Sequence, residues 1–197
     1  MRVLHVYRTY FPDSHGGIEE VIRQICLSTS ESGVESRVLA LSPDPMPNVI
    51  ERPEAMVYRL PLSFEVASCG VSLGALDAFR EQARWADVLH YHFPWPFADF
   101  LHFAANIDKP TVLTYHSDIV RQRILAVLYK PLMNRFLRSV SKIVCTSPNY
   151  FATSDVLQQY SNKVEVVPIG LDEKSYPEVE QDLLSITEDK FGSDFFL

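Results

Sequence analysis

The chain lacks several things, and each lack narrows what it can be. No run of about eighteen apolar residues occurs in its 197, so no segment reads as a bilayer-spanning helix. The N-terminus runs straight into a strand pattern, without the charged and apolar regions of a signal peptide. Cysteine is sparse: Cys26, Cys69 and Cys145 are odd in number, scattered and without metal-ligand spacing. That argues against a disulfide framework or thiolate metal site and for buried thiols in a reducing cytoplasm. Only seven glycines are present and none forms G-x-G-x-x-G, so the dinucleotide fingerprint is missing. Basic residues are outnumbered 18 to 25, for a net charge of −7, which argues against general nucleic-acid binding. Finally, no acid occurs from Ile119 to Ser154, a stretch holding Arg121, Arg123, Lys130, Arg135, Arg138 and Lys142. Such a patch suits either an anionic membrane surface or lipid-linked phosphate, or simply a solvated helix face.

What is present is a regular alternation of short apolar strands and helices. Strands are expected at Val3–Tyr7, Ser36–Ser42, Met56–Leu60, Asp87–Tyr91, Thr111–Thr114, Lys142–Thr146 and Val164–Val167. Between them lie a helix from Ile18 to near Gly33, one capped by Ser72 and running to Arg84, and one at Phe97–Asn106. Further helices are expected over Arg121–Ser141, divided or kinked at Pro131, and over Asn149–Tyr160. This pattern predicts an α/β fold, a Rossmann-like, mostly parallel sheet with helices on both faces.

In such sheets ligands bind beyond the carboxyl ends of the strands. Polar groups collect there: the Arg8–Gly17 loop, His90 and His92, Tyr115-His116-Ser117-Asp118, Thr146-Ser147 and Pro168-Ile169-Gly170. Gly16 and Gly17 open the first helix, where free N–H groups and the helix dipole could meet a phosphate or sugar hydroxyl; the alternative is a Gly-Gly that only turns the chain. Glu19 and Glu20 in the same turn would repel a deeply seated phosphate. His90 and His92 form an H-x-H pair without carboxylate or cysteine partners at ligand spacing, and no metal is expected there. Phe93-Pro-Trp-Pro-Phe97, with Trp95 at its centre, reads either as a sugar-stacking wall or as core cover.

Taken in order, Phe11-Pro12 with His15-Gly-Gly-Ile-Glu19, Asp87-Val-Leu-His-Tyr-His92, Thr114-Tyr-His-Ser-Asp118, Cys145-Thr-Ser147 and Val167-Pro-Ile-Gly-Leu-Asp172 resemble the N-terminal domain of glycosyltransferase family 4, the group 1 retaining enzymes of GT-B fold. The resemblance covers essentially the whole chain. It implies that residues 1–171 form the acceptor-side domain, and that 172–197, with eight acids against two lysines, are an acidic linker leading into a missing C-terminal donor-binding domain. It also implies a nucleotide-sugar donor, a glycan or lipid-linked acceptor and no metal or other cofactor. The setting would be bacterial polysaccharide or lipopolysaccharide assembly, in the cytoplasm or peripherally at the inner face of the membrane. By position, Gly16, Gly17 and Ser147 would face the donor, and His116 the transferred sugar with Asp118 orienting its ring. His15, His92 and Trp95 would lie on the acceptor side. A piece without its second half should be nearly inactive. The rivals are an epimerase or sugar-phosphate synthase on the same scaffold and a non-catalytic binding module.

Overall fold

The computed structural model describes residues 1–119, 123–172 and 175–176, with backbone alone for 123–126. Elements are numbered in chain order. The strands are β1 (Arg2–Val6), β2 (Glu35–Ser42), β3 (Val49–Glu51), β4 (Met56–Pro61), β5 (Phe64–Val66), β6 (Cys69–Val71), β7 (Val88–Phe93), β8 (Thr111–Tyr115), β9 (Lys142–Cys145) and β10 (Val164–Val166). The helices are α1 (Gly17–Ser30), α2 (Ala75–Trp85), α3 (Pro96–Ala105), α4 (Arg123–Ser139), α5 (Pro148–Thr153) and α6 (Asp155–Gln158). Eight strands form one sheet in the order β10-β9-β8-β7-β1-β2-β4-β3. All neighbours are parallel except the edge pair β3–β4.

Strand order changes direction at β1, and crossovers between parallel strands are right-handed, so the helices divide between the two faces. On one face Ile22 and Cys26 of α1 pack with Tyr7, Tyr10, Val38, Ala40 and Val57. The other face carries the larger core, where Phe79, Leu101 and Phe136 of α2, α3 and α4 meet Leu4, Val6, Leu39 and Leu89. Each of these wholly buried side chains contributes roughly 2 kcal/mol of transfer free energy. The doubly covered Rossmann-like sheet expected from the alternating pattern is thus present.

Local differences have local causes. β3 lies within the proline-rich segment after β2 and is a three-residue edge strand. The stretch after β4, expected to be an open loop, is a hairpin of β5 and β6. Its turn residues Ala67 and Ser68 sit at φ 55° and 62°, left-handed backbone normally advertised by Asn or Gly. Ser72 does not cap α2, which starts at Ala75 with Gly74 at the cap. Pro131 does not divide α4; it lies on the exposed side, where water can satisfy the freed carbonyl. The expected helix at 149–160 is broken at Ser154, whose hydroxyl accepts from Leu157 N at 3.3 Å and restarts the chain as α6.

After β10 the chain returns to α1. Asp172 N donates to Gln24 Oε1 at 2.9 Å, and Arg23 donates to Ser175 O at 2.6 Å while its guanidinium stacks on Tyr176. The junction expected at 171–172 therefore lies within a stretch anchored to the sheet domain. Residues 177–197, most of the expected acidic linker, lie outside the described residues.

Candidate functional site

The carboxyl ends of β1, β7 and β8 meet the β5–β6 turn and the start of α1 around one cavity of about 450 Å³, a size typical of small-ligand sites. Tyr7 and Arg8 line it from β1, Ile18 from α1, Pro94 and Pro96 from the segment after β7, and Ser117 and Asp118 from beyond β8. The paired glycines, immediately before Ile18, and the loop that follows His116 therefore share one rim. Arg8 closes the hairpin side: its Nη1 donates to Ser68 O at 2.6 Å, holding the carbonyl of the left-handed turn. The Arg8–Gly17 loop was expected at this edge; the hairpin that Arg8 holds was not recognisable from residue pattern.

The loop before α1 is pinned from beneath. Arg59 and Asp13, both nearly buried, form a two-point ion pair at 2.8 and 2.6 Å, and the same guanidinium donates to Pro47 O, Ser42 Oγ and Asp44 O. Glu19, expected to project from the first helical turn, is folded back instead and buried. Its carboxylate accepts from Thr9 Oγ1 at 2.8 Å and Ser14 Oγ at 2.7 Å. It lies so near Gly16 that a Cβ there would stand 2.5 Å from Glu19 Oε2. Glu20 is likewise engaged, by Arg23, Gln24 and Tyr176. Glu20 is thus ion-paired with Arg23, whereas Glu19 is bonded only to neutral hydroxyls and sits against Gly16, so its partners do not remove the expected repulsion of a deeply seated phosphate. Gly17 is exposed, and a Cβ added there would meet nothing within 4 Å, which leaves the α1 terminus open.

Four imidazoles cluster across β1, β7 and the end of β8. β1 and β7 pair His5 with His90, and the two-residue period of a strand places His92 on the same face. His5 Nδ1 lies 3.2 Å from His92 Nε2, and His92 Nδ1 lies 3.1 Å from His116 Nε2. His90 Nε2 is 2.7 Å from Thr114 Oγ1. Burial lowers the basicity of all four: His5 and His116 fall to about 4, and His90 and His92 well below 6.5, helped by the neighbouring rings. They are neutral at physiological pH. The ring nitrogens of His5, His90 and His92 could converge on a cation, lying within 4.8 Å of one another. Among the described residues no carboxylate or thiolate joins them to offset its charge; His5 is bonded to His92 and His90 to Thr114, which suits neutral rings.

Several expected roles need correction. Asp118 does not orient His116; His92 does. The Asp118 carboxylate instead accepts from Tyr115 OH at 2.8 Å, Tyr150 OH at 2.8 Å and Ser154 Oγ at 3.2 Å. Burial and that carboxylate together push both phenols up, so they remain donors that tie the end of β8 to α5 and α6. His92, only 1% exposed, cannot touch an acceptor. Trp95 is core cover and no stacking wall, being 2% exposed with its indole N–H donated to Gly70 O at 3.0 Å. Ser147 uses its hydroxyl to cap α5, accepting from Tyr150 N at 3.4 Å. His15 is exposed, edge-on to Phe11. Lys130, Arg135 and Arg138 are exposed on α4, whereas Arg121 and the side chain of Arg123 lie outside the described residues.

Comparison with known proteins shows the family and the fold. The family described as Glycosyltransferase Family 4 matches residues 15–175. The chain is 51% identical over its whole length to the D-rhamnosyltransferase WbpZ of Pseudomonas aeruginosa, covering 52% of that protein. It is 44% identical to the O-antigen chain mannosyltransferase C of Escherichia coli, covering 53%. It thus spans about half the length of the curated relatives it matches. Among solved structures, a sucrose-phosphate synthase from Thermosynechococcus elongatus superposes with TM-score 0.66 at 16% identity, over 94% of this chain and 52% of the other. Anabaena HepE, solved with UDP and glucose, does so with TM-score 0.65 at 14% identity, over 98% and 50%. With the family matched across most of the sheet domain, the chain belongs to Glycosyltransferase Family 4.

Proposed function

We propose that this chain is the acceptor-side half of a retaining glycosyltransferase. The enzyme would move a sugar from a nucleotide-sugar to a glycan or lipid-linked acceptor during bacterial polysaccharide or lipopolysaccharide assembly. The observation that carries this reading is the cavity shared by Tyr7, Arg8, Ile18, Ser117 and Asp118, the last two following His116 in the chain. WbpZ and the mannosyltransferase, alike over this whole length, are named for sugar transfer, and HepE was solved with UDP-glucose. In the proposed division of labour, Gly16 and Gly17 present the open α1 terminus to the donor diphosphate. His116, neutral and held by His92, touches the transferred sugar. The acceptor enters between Arg8, the hairpin turn and Pro94–Pro96. The tetrad works as neutral hydrogen-bonding groups, and no metal or other cofactor is required. Downstream residues supply the remaining donor contacts, so the chain alone has little activity.

The decisive experiment joins the chain to its downstream coding sequence and supplies nucleotide-sugars with oligosaccharide and lipid-linked acceptors. Transfer with retained anomeric configuration is expected, and the chain alone should give almost none. A nucleotide-sugar altered without an acceptor would indicate an epimerase. Binding of no nucleotide, sugar or glycan would indicate an interaction module.

The acceptor side also faces α4. Tyr129, Met133, Phe136, Leu137 and Val140 turn inward, whereas Val127, Leu128, Lys130, Pro131, Arg135 and Arg138 are exposed. Val127 and Leu128 are 69% and 73% exposed. Two apolar side chains beside a cationic face match the inner surface of an anionic membrane, with each basic group contributing about 1 kcal/mol. No described helix is long and apolar enough to cross a membrane; the contact proposed is a peripheral one, at the inner face. Replacing Lys130, Arg135 and Arg138 by Glu should abolish sedimentation with phosphatidylglycerol vesicles. Unchanged sedimentation would remove the membrane from the proposal.

A further inference from the structure

We propose that His92 and His5 are positioning residues that lock the tautomer of His116 to their own, so that the ring meets the transferred sugar with the hydrogen-bonding character that the three rings adopt together. This rests on the placement of His116 proposed above, but the coupling among the rings is a property of this chain alone.

Strand geometry builds the chain of rings. His5 and His92 project from adjacent parallel strands onto one face, and Thr114 stands opposite His92 in the β7–β8 register. His116 follows two residues later, its backbone N–H held by Phe93 O at 3.2 Å. The two ring-to-ring contacts, 3.2 and 3.1 Å, are hydrogen-bond distances, and each connects an Nδ1 to an Nε2.

A neutral imidazole has one N–H and one lone pair. Two consecutive contacts of the Nδ1-to-Nε2 type therefore allow only two fully bonded states. In one, every proton sits on Nδ1: His5 donates to His92, His92 donates to His116, and His116 offers an N–H at its own Nδ1. In the other, every proton sits on Nε2, both bonds reverse, and His116 Nδ1 is a lone pair. Any mixed pattern sets two lone pairs or two N–H groups face to face in a buried place, an unmet bond costing on the order of 1–3 kcal/mol. His116 Nδ1 has no partner among the described residues. It is the end of the chain that remains for a ligand, and its character is set by a ring two links away. Imidazolium would break the scheme, and burial keeps all the rings neutral. The side chains nearest the chain of rings, Tyr7 edge-on to His92 and His90 stacked on it, bring no formal charge.

The test uses the chain labelled with ¹⁵N-histidine and two-bond ¹H–¹⁵N correlation spectra at pH 7.5. His5, His92 and His116 should each show a single tautomer, and the same one in all three. Exposed His15 should show the averaged pattern of a free ring. In His92→Phe, His116 should lose its fixed tautomer and move to that averaged pattern. Should that variant fail to fold, His5→Phe removes only the far end and should still shift the tautomer populations of His92 and His116. The pattern of the unmodified chain decides the matter even without variants. Different tautomers among the three rings, or a His116 pattern indifferent to both substitutions, would overturn the proposal and leave the glycosyltransferase reading standing. Undiminished transfer by the full-length His116→Ala enzyme would do the reverse, removing the sugar contact while the rings stayed coupled.

Discussion

Lowering the pH from 7.5 to 5.0 should destabilise this domain far more than an ordinary one, because four histidines are buried as neutral rings. An unfolded histidine takes up a proton near 6.5, whereas folded His5 and His116 resist until about 4. Below 6.5 the unfolded state therefore binds more protons, and stability falls with pH until the folded rings titrate as well. At pH 5.0 each of these two rings costs about 2 kcal/mol relative to pH 7.5, about 4 kcal/mol together. His90 and His92 act in the same direction. Asp99 opposes them: burial raises its carboxyl well above the usual range, so the folded state takes up this proton at higher pH than the unfolded state, which favours folding as pH falls. One acid does not offset four rings. With a urea slope of about 2 kcal/mol per molar, the midpoint should move down by roughly 2 M, against a total stability of about 5–15 kcal/mol. Urea titrations followed by circular dichroism at several pH values measure this. In His5→Phe, one proton fewer is linked to unfolding, and the pH slope should drop by about 1.4 kcal/mol per unit. Equal midpoints at pH 7.5 and 5.0, or a slope unchanged in His5→Phe, would refute the neutral cluster.

Other expectations concern the supports of the site. Asp13→Asn leaves the Arg59 guanidinium buried without its anion and should cost about 3 kcal/mol in urea unfolding; a loss below about 0.5 kcal/mol would show that the loop is held otherwise. Gly16→Ala forces the Glu19 carboxylate aside and should lower the urea midpoint. Gly17→Ala meets nothing and should leave stability unchanged or raised by about 0.5 kcal/mol, while weakening donor affinity in the full-length enzyme. Ala67→Gly relieves a left-handed backbone at φ 55° and should stabilise the chain by about 1 kcal/mol; a destabilised Ala67→Gly would mean the turn is favoured by contacts of the Ala67 side chain.

The sheet was legible in the sequence because its strands are short, apolar and bounded by breakers, and because helical periods separate them. The site was legible as far as strand ends betray it: His116 follows β8 directly, and the Gly16–Gly17 pair closes the loop after β1. What pattern could not give was partnership across strands. That His92 faces inward depends on the register that sets His90 beside His5 and His92 beside Thr114, and proximity in sequence instead favoured Asp118, whose carboxylate is taken by Tyr115, Tyr150 and Ser154. Trp95 suggested a sugar platform by type, yet the close approach of Gly70 made it core. The β5–β6 hairpin was hidden because Ala67 and Ser68 carry no turn signature, and with it the partner of Arg8, the carbonyl of that unseen turn.

The most direct measurement is steady-state sugar transfer by the full-length enzyme and its His116→Ala variant, with donor and acceptor varied separately. Loss of a positioned group at the transferred sugar should lower kcat at least about 100-fold, equivalent to roughly 3 kcal/mol of transition-state stabilisation, with donor KM changed only a few-fold. A variant that transfers sugar at the unmodified rate would contradict the placement of the active centre on this rim.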